Sequence, residues 1–160
     1  MSTLKRHVRS DKFKWIITTL AFILIAGVLI SVCVNLNGLH TSKKVVNSDY
    51  AITSISSTTG KNVDSKLHIA MKDKQTVDGL EIKLGENPQI TYKVAFYDED
   101  GAFVSMTDAQ STDFDNANIP ATATQFRVEI TPNQVDGEDV KVTLFNMNNY
   151  IAQITITYNK

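Results

Sequence analysis

The chain has 160 residues, 42% of them apolar and 21% charged, with one cysteine, seven glycines and three prolines. This excludes a disordered, collagen-like or low-complexity chain, and a lone cysteine excludes an intrachain disulfide framework or a cysteine-rich zinc site. The net charge of −1 hides an asymmetry: residues 1–14 carry Lys5, Arg6, Arg9, Lys12 and Lys14 against Asp11 alone, whereas residues 35–160 carry eleven basic and sixteen acidic side chains, which is not the balance of a nucleic-acid binder.

The basic head, 1–14, is followed by an oily block, Trp15 to Val34. Sixteen of these 20 residues are apolar, and the exceptions, Thr18, Thr19, Gly27 and Ser31, are uncharged. Twenty helical residues span about 30 Å, the thickness of a bilayer's hydrocarbon core, so the block predicts a transmembrane helix over 15–34. Positive charge before the span places the N-terminus in the cytoplasm and the C-terminal body outside. A cleaved signal peptide is the competing reading. It fits less well, because the apolar block is longer than a signal core and Val32-Cys33-Val34-Asn35 is not a small-residue cleavage site. A lipoprotein signal needs a small residue before its cysteine, and Val32 stands there.

Residues 35–49 are polar and without helical period, and read as a linker. From Tyr50 the period becomes two. Alternation predicts strands near 50–57, 66–72, 79–85, 89–97, 102–107, 124–131, 139–145 and 151–158. The turns between them include Asp98-Glu99-Asp100-Gly101, Glu86-Asn87-Pro88 and Asp136-Gly137-Glu138. About eight short strands with polar turns predict an all-β body over 50–160: an antiparallel two-sheet sandwich or jelly roll, preceded by one N-terminal transmembrane helix. The pleat places Tyr92, Val94, Phe96, Phe126, Val128 and Ile130 in the core. It turns Lys93, Arg127 and Glu129 to solvent or to a shallow ligand face.

Several stretches carry a resemblance: Gly79-Leu-Glu-Ile-Lys-Leu, Ile90-Thr-Tyr-Lys-Val-Ala-Phe-Tyr-Asp-Glu-Asp-Gly-Ala-Phe-Val, Ile119-Pro-Ala and Phe126-Arg-Val-Glu-Ile-Thr-Pro. With these, residues 50–160 resemble membrane-anchored β-sandwich domains of Gram-positive gut bacteria and their phages. Those domains are uncharacterised, with a galactose-binding-like jelly roll akin to carbohydrate-binding modules. The resemblance implies a fold and a bacterial membrane location. It carries no binding residue with it, and one fold hosts many functions.

No catalytic signature is present. The acidic residues lie in no recognisable motif, and His7, His40 and His68 fall in the head, the linker and an early strand. An enzyme is therefore not expected. Asp98 and Asp100 form a compact acidic turn of the kind that offers oxygen ligands to calcium, although the fuller EF-hand spacing is missing and Asp and Gly also suit a hairpin tip for backbone reasons. Sugar sites use flat rings beside polar side chains. Tyr97 and Phe145 are off-phase from the core positions of their strands, Tyr150 sits in the amide-rich Asn146-Met-Asn-Asn-Tyr, and Arg127 alternates outward. These four are the candidate ligand-binding residues, with packing as their competing role. The expected function is a single-pass surface protein displaying a β-sandwich that binds an envelope glycan, a host glycan or a surface protein. The alternative is a structural or assembly component of a cell-envelope or phage-related complex, without a small-ligand site.

Overall fold

The structure, a computed structural model, describes residues 42–159 and, nearer the N-terminus, residues 16–19, 23 and 25. The chain divides into two units, Met1–Thr41 and Ser42–Lys160. In the first, the described residues are helical, and Ile16, Ile17, Ile23 and Ile25 each expose more than half of their surface. Among the described residues no helix is long and apolar enough to cross a membrane. The basic head and the rest of the expected span from Trp15 to Val34 lie outside the described residues.

The second unit is mostly β, and its strand pairs are antiparallel. Its described residues form eleven short strands: β1 (Ser42–Lys44), β2 (Tyr50–Ile52), β3 (Ser54–Ile55), β4 (Asn62–Val63), β5 (Ile69–Met71), β6 (Gln75–Thr76), β7 (Glu81–Leu84), β8 (Ile90–Tyr97), β9 (Phe103–Met106), β10 (Gln125–Pro132) and β11 (Ile154–Asn159). A six-stranded sheet runs β2-β5-β10-β8-β9, with β6 also on β10; a three-stranded sheet runs β1-β11-β7; β3 and β4 pair as a hairpin. The spine is the β8–β10 ladder, in register from Ile90↔Pro132 to Tyr97↔Gln125.

The pleat then builds the core. Tyr92, Val94 and Phe96 of β8 and Phe126, Val128 and Ile130 of β10 are buried on one face. They share a cluster with Ile82 of β7 and with Ile154, Ile156 and Tyr158 of β11. The Phe126 and Tyr158 rings meet edge-on at 6.0 Å. Full burial of an apolar side chain of this size stabilises by roughly 1.5–3 kcal/mol, so this paired set dominates the fold.

Two expected boundaries are corrected. The linker read over 35–49 is too long, because its last part belongs to the domain. Ser42–Lys44 pair with β11 in the register Ser42↔Asn159 to Lys44↔Thr157, the Val45 amide donates to Ile156 O at 3.0 Å, and Val45 is buried. A lysine-bearing edge strand protects an open sheet edge, yet it shows no apolar period by which to recognise it. The strand expected over 139–145 is absent. Val142 is buried and its amide donates to Lys66 O at 2.6 Å. The chain then turns: Asn146 Oδ1 accepts from the Thr143 amide at 2.7 Å, and a short helix, α1 (Met147–Ile151), follows. Alternation at Val140, Val142 and Leu144 reflects one anchored residue, not a ladder.

Candidate functional site

The outer face of the six-stranded sheet is not open to solvent along β10. The β3–β4 hairpin lies over it, held by Tyr97, Arg127 and Glu129, the side chains of β8 and β10 off-phase from the core set. Ile55 of β3 packs with Ala70, Ala95 and Tyr97 in a second small cluster, flanked by Phe103 and Met106. Alanines at 70 and 95 leave room for this approach. Glu129 is 2% exposed; its Oε2 accepts from Ser54 Oγ at 2.7 Å and from the Ile55 amide at 2.5 Å. The Tyr97 hydroxyl donates to Gly60 O at 2.7 Å. Arg127 is 5% exposed; its Nε donates to Met71 O at 2.8 Å and its Nη2 to Asn62 Oδ1 at 2.6 Å and again to Met71 O. The expected solvent orientation of Arg127 and Glu129 is therefore corrected.

The place of Arg127 follows from the ladder. One edge of β10 is shared by β5, through Glu129↔Ala70, and by β6, through Phe126↔Gln75. Between them the chain leaves the edge, and the carbonyl of Met71 would lack a ladder partner. The guanidinium fork supplies it, as a rigid donor set suited to buried acceptors.

Beside this fork lies a concave corner of about 400 Å³, within the range of small-ligand sites. Arg127, Asn62 and Tyr97 line it, with Lys61 and Lys74 at its rim and Phe103 as an apolar wall. Lys74 Nζ lies 4.4 Å from the centroid of the Tyr97 ring and donates to Gly101 O. Two glycines shape the corner. Gly60, at φ +65°, lies against Phe103 and Tyr97, where a Cβ would sit 2.5 Å from Phe103 Cδ2; Gly101, at φ +77°, closes the β8–β9 turn. Burial raises the Tyr97 phenol above its ordinary pKa, with the Arg127 guanidinium pulling part of the way back.

The candidate residues are thus divided. Tyr97 and Arg127 meet in the corner, and the Asp98–Gly101 turn borders it. Tyr97 is not the exposed platform expected: it is 2% exposed, its ring packed edge-on against Phe103 at 5.9 Å. Asp98 acts as a turn cap, its Oδ1 accepting from the Ala102 amide at 2.8 Å. Among the described residues no group of three or more His, Cys, Asp or Glu side chains is placed to hold a metal ion. The Asp98–Asp100 pair is therefore a turn without a completed ligand set. Phe145 lies on no strand; it is 98% exposed, beside Leu144 at 75%. Tyr150 sits in α1 and packs half-buried against the main core, not in an open loop. Lys61, Asn62 and Lys74 were not legible as site residues, since each lies in a polar stretch, 56–62 or 72–76, with nothing to set it apart from its neighbours. No family model matches the chain, no curated protein matches it, and no solved structure matches it.

Proposed function

We propose that the protein is a single-pass membrane protein that displays an antiparallel two-sheet β-sandwich, of jelly-roll type, outside a bacterial cell, and that this domain binds a glycan at the corner beside the β3–β4 hairpin. The observation that carries the binding reading is that corner itself: a concave space of about 400 Å³ lined by Lys61, Asn62, Lys74, Arg127 and a half-buried Phe103. An apolar wall beside several hydrogen-bond donors is the combination a sugar ring with its hydroxyls requires. The sandwich reading is supported by the single core shared by residues of the six- and three-stranded sheets. The anchor reading rests on the uncharged 20-residue block after five basic residues and fits the exposed isoleucines at 16, 17, 23 and 25.

The full chain in a non-ionic detergent, screened on a glycan array, tests this. Binding that disappears in Lys74→Gln and persists in Phe145→Ser supports the corner. Absence of any glycan signal overturns it in favour of the assembly role. That second reading has its own observation: Leu144 and Phe145 are presented side by side to solvent on a turn closed by Asn146. Exposed paired apolar residues on a fixed turn suit contact with another protein.

A further inference from the structure

We infer that the corner beside the β3–β4 hairpin is selective for an acidic saccharide, taking a carboxylate or phosphate group against Arg127, Lys61 and Lys74. This rests on reading the corner as a glycan site and adds the charge of its ligand.

Three cationic side chains line the cavity and no carboxylate does. The surroundings make this concentration notable: residues 35–160 carry sixteen acidic side chains against eleven basic ones. None of the three cations is in an ion pair among the described residues, where Lys83 and Glu81 do pair, at 2.6 Å. Asp98, Glu99 and Asp100 of the adjoining turn are not among the lining residues, and Asp98 has an oxygen occupied by the Ala102 amide.

Two of the three charges are also held in place. The Arg127 guanidinium is fixed by Met71 O and Asn62 Oδ1, and Lys74 by Gly101 O and the face of Tyr97. A ligand anion would meet an oriented field at little cost in side-chain ordering. Lys61, exposed on the rim, adds a mobile charge that can follow the ligand. The half-buried Phe103 wall accepts the apolar face of a ring carrying the charge.

The test uses the full chain in non-ionic detergent and ligand-observed NMR titrations. Glucuronate is compared with methyl glucuronate, and glucose 6-phosphate with glucose, so the carboxylate and phosphate sources are read separately. The expected result is that at least one charged sugar binds about tenfold or more tightly than its neutral partner, the effect of one or two charge-assisted hydrogen bonds. That preference should shrink at high salt. Lys61→Gln, at an exposed position, should keep the urea midpoint while cutting the preference for the charged sugar over its neutral partner severalfold. Equal binding of charged and neutral sugars overturns the charge selectivity while leaving the glycan reading standing. Charged-sugar binding that Lys61→Gln and Lys74→Gln both leave unchanged overturns the placement. Inorganic phosphate binding as tightly as glucose 6-phosphate, with no sugar derivative preferred, reduces the site to an adventitious ion only and overturns the proposal.

Discussion

Arg127 and Glu129 stand two residues apart on one strand, and neither has an opposite charge within ion-pair distance among the described residues. Each is stabilised by dipoles instead: Arg127 by a carbonyl and an amide oxygen, Glu129 by a backbone amide and a hydroxyl. Burying a charge is tolerated only where such bonds are made, and removing one partner leaves the others unsatisfied. Arg127→Ala should therefore destabilise by about 2–4 kcal/mol, comparable with the roughly 3–5 kcal/mol expected for Phe126→Ala. Arg127→Lys should fall between wild type and alanine, because an ammonium cannot reproduce the fork. Phe145→Ser, at a fully exposed ring, should change stability by less than about 0.5 kcal/mol. Urea melts of the four variants check the order. An Arg127→Ala midpoint matching that of Phe145→Ser would mean the hairpin is not held by the guanidinium. Gly60→Ala joins the damaging group by a different route, since its φ is +65° and its Cβ would meet the Phe103 and Tyr97 rings; a loss of about 1–3 kcal/mol is expected.

At the level of elements, β1 is small and polar yet covers the edge of β11. A chain beginning at Tyr50 loses the ladder from Ser42↔Asn159 to Lys44↔Thr157 and the buried Val45, and leaves β11 an open edge. Compared with residues 42–160, residues 50–160 should show a lower urea midpoint and concentration-dependent association by sizing chromatography. Equal stability of the two fragments would show that β1 contributes nothing. The same element marks what the sequence makes legible. β8 and β10 were readable because Ile90, Tyr92, Val94 and Phe96, and Phe126, Val128 and Ile130, recur at every second residue, and this inward set is the core found. β1 was not, because Ser-Lys-Lys carries no apolar period. The false strand over 139–145 came from the opposite fault: alternation was present, but only Val142 found a place in the core. The corner was half readable. Off-phase Tyr97 and outward Arg127 pointed to it, but their burial depends on the β3–β4 hairpin, whose contacts with β10 span 65 to 75 residues of sequence.

At the scale of the whole molecule, the proposed anchor carries an expected orientation that a simple assay tests. Protease added to intact cells should remove the domain and leave the basic head protected, with the membrane-bound protein at its full mass beforehand. A released species lacking residues 1–34 would contradict the anchor. The folded domain also carries a pH dependence through its buried phenols. Tyr92, whose hydroxyl donates to Thr112 O at 2.8 Å, is pushed up to about 12, first by burial and then by the Asp113 charge. Burial followed by the Asp49 charge raises Tyr50, and burial raises Tyr97. The unfolded chain releases its phenolic protons near pH 10, so from there upward the unfolded state binds fewer protons than the folded one. Stability then falls as pH rises; the phenols' contribution is intact below about pH 10 and, for Tyr92, is lost by about pH 12. Urea midpoints should be level with respect to these groups between pH 8 and about 9.5 and decline above it, while phenolate absorbance in the folded state lags that of the denatured chain. Tyr92→Phe removes the titrating hydroxyl while keeping the ring in the core. Its midpoint should fall less steeply between about pH 10 and 12 than that of the wild type, even if the lost bond to Thr112 lowers it at every pH. An identical alkaline slope in the two proteins would mean that Tyr92 is not one of the groups that alkali forces open.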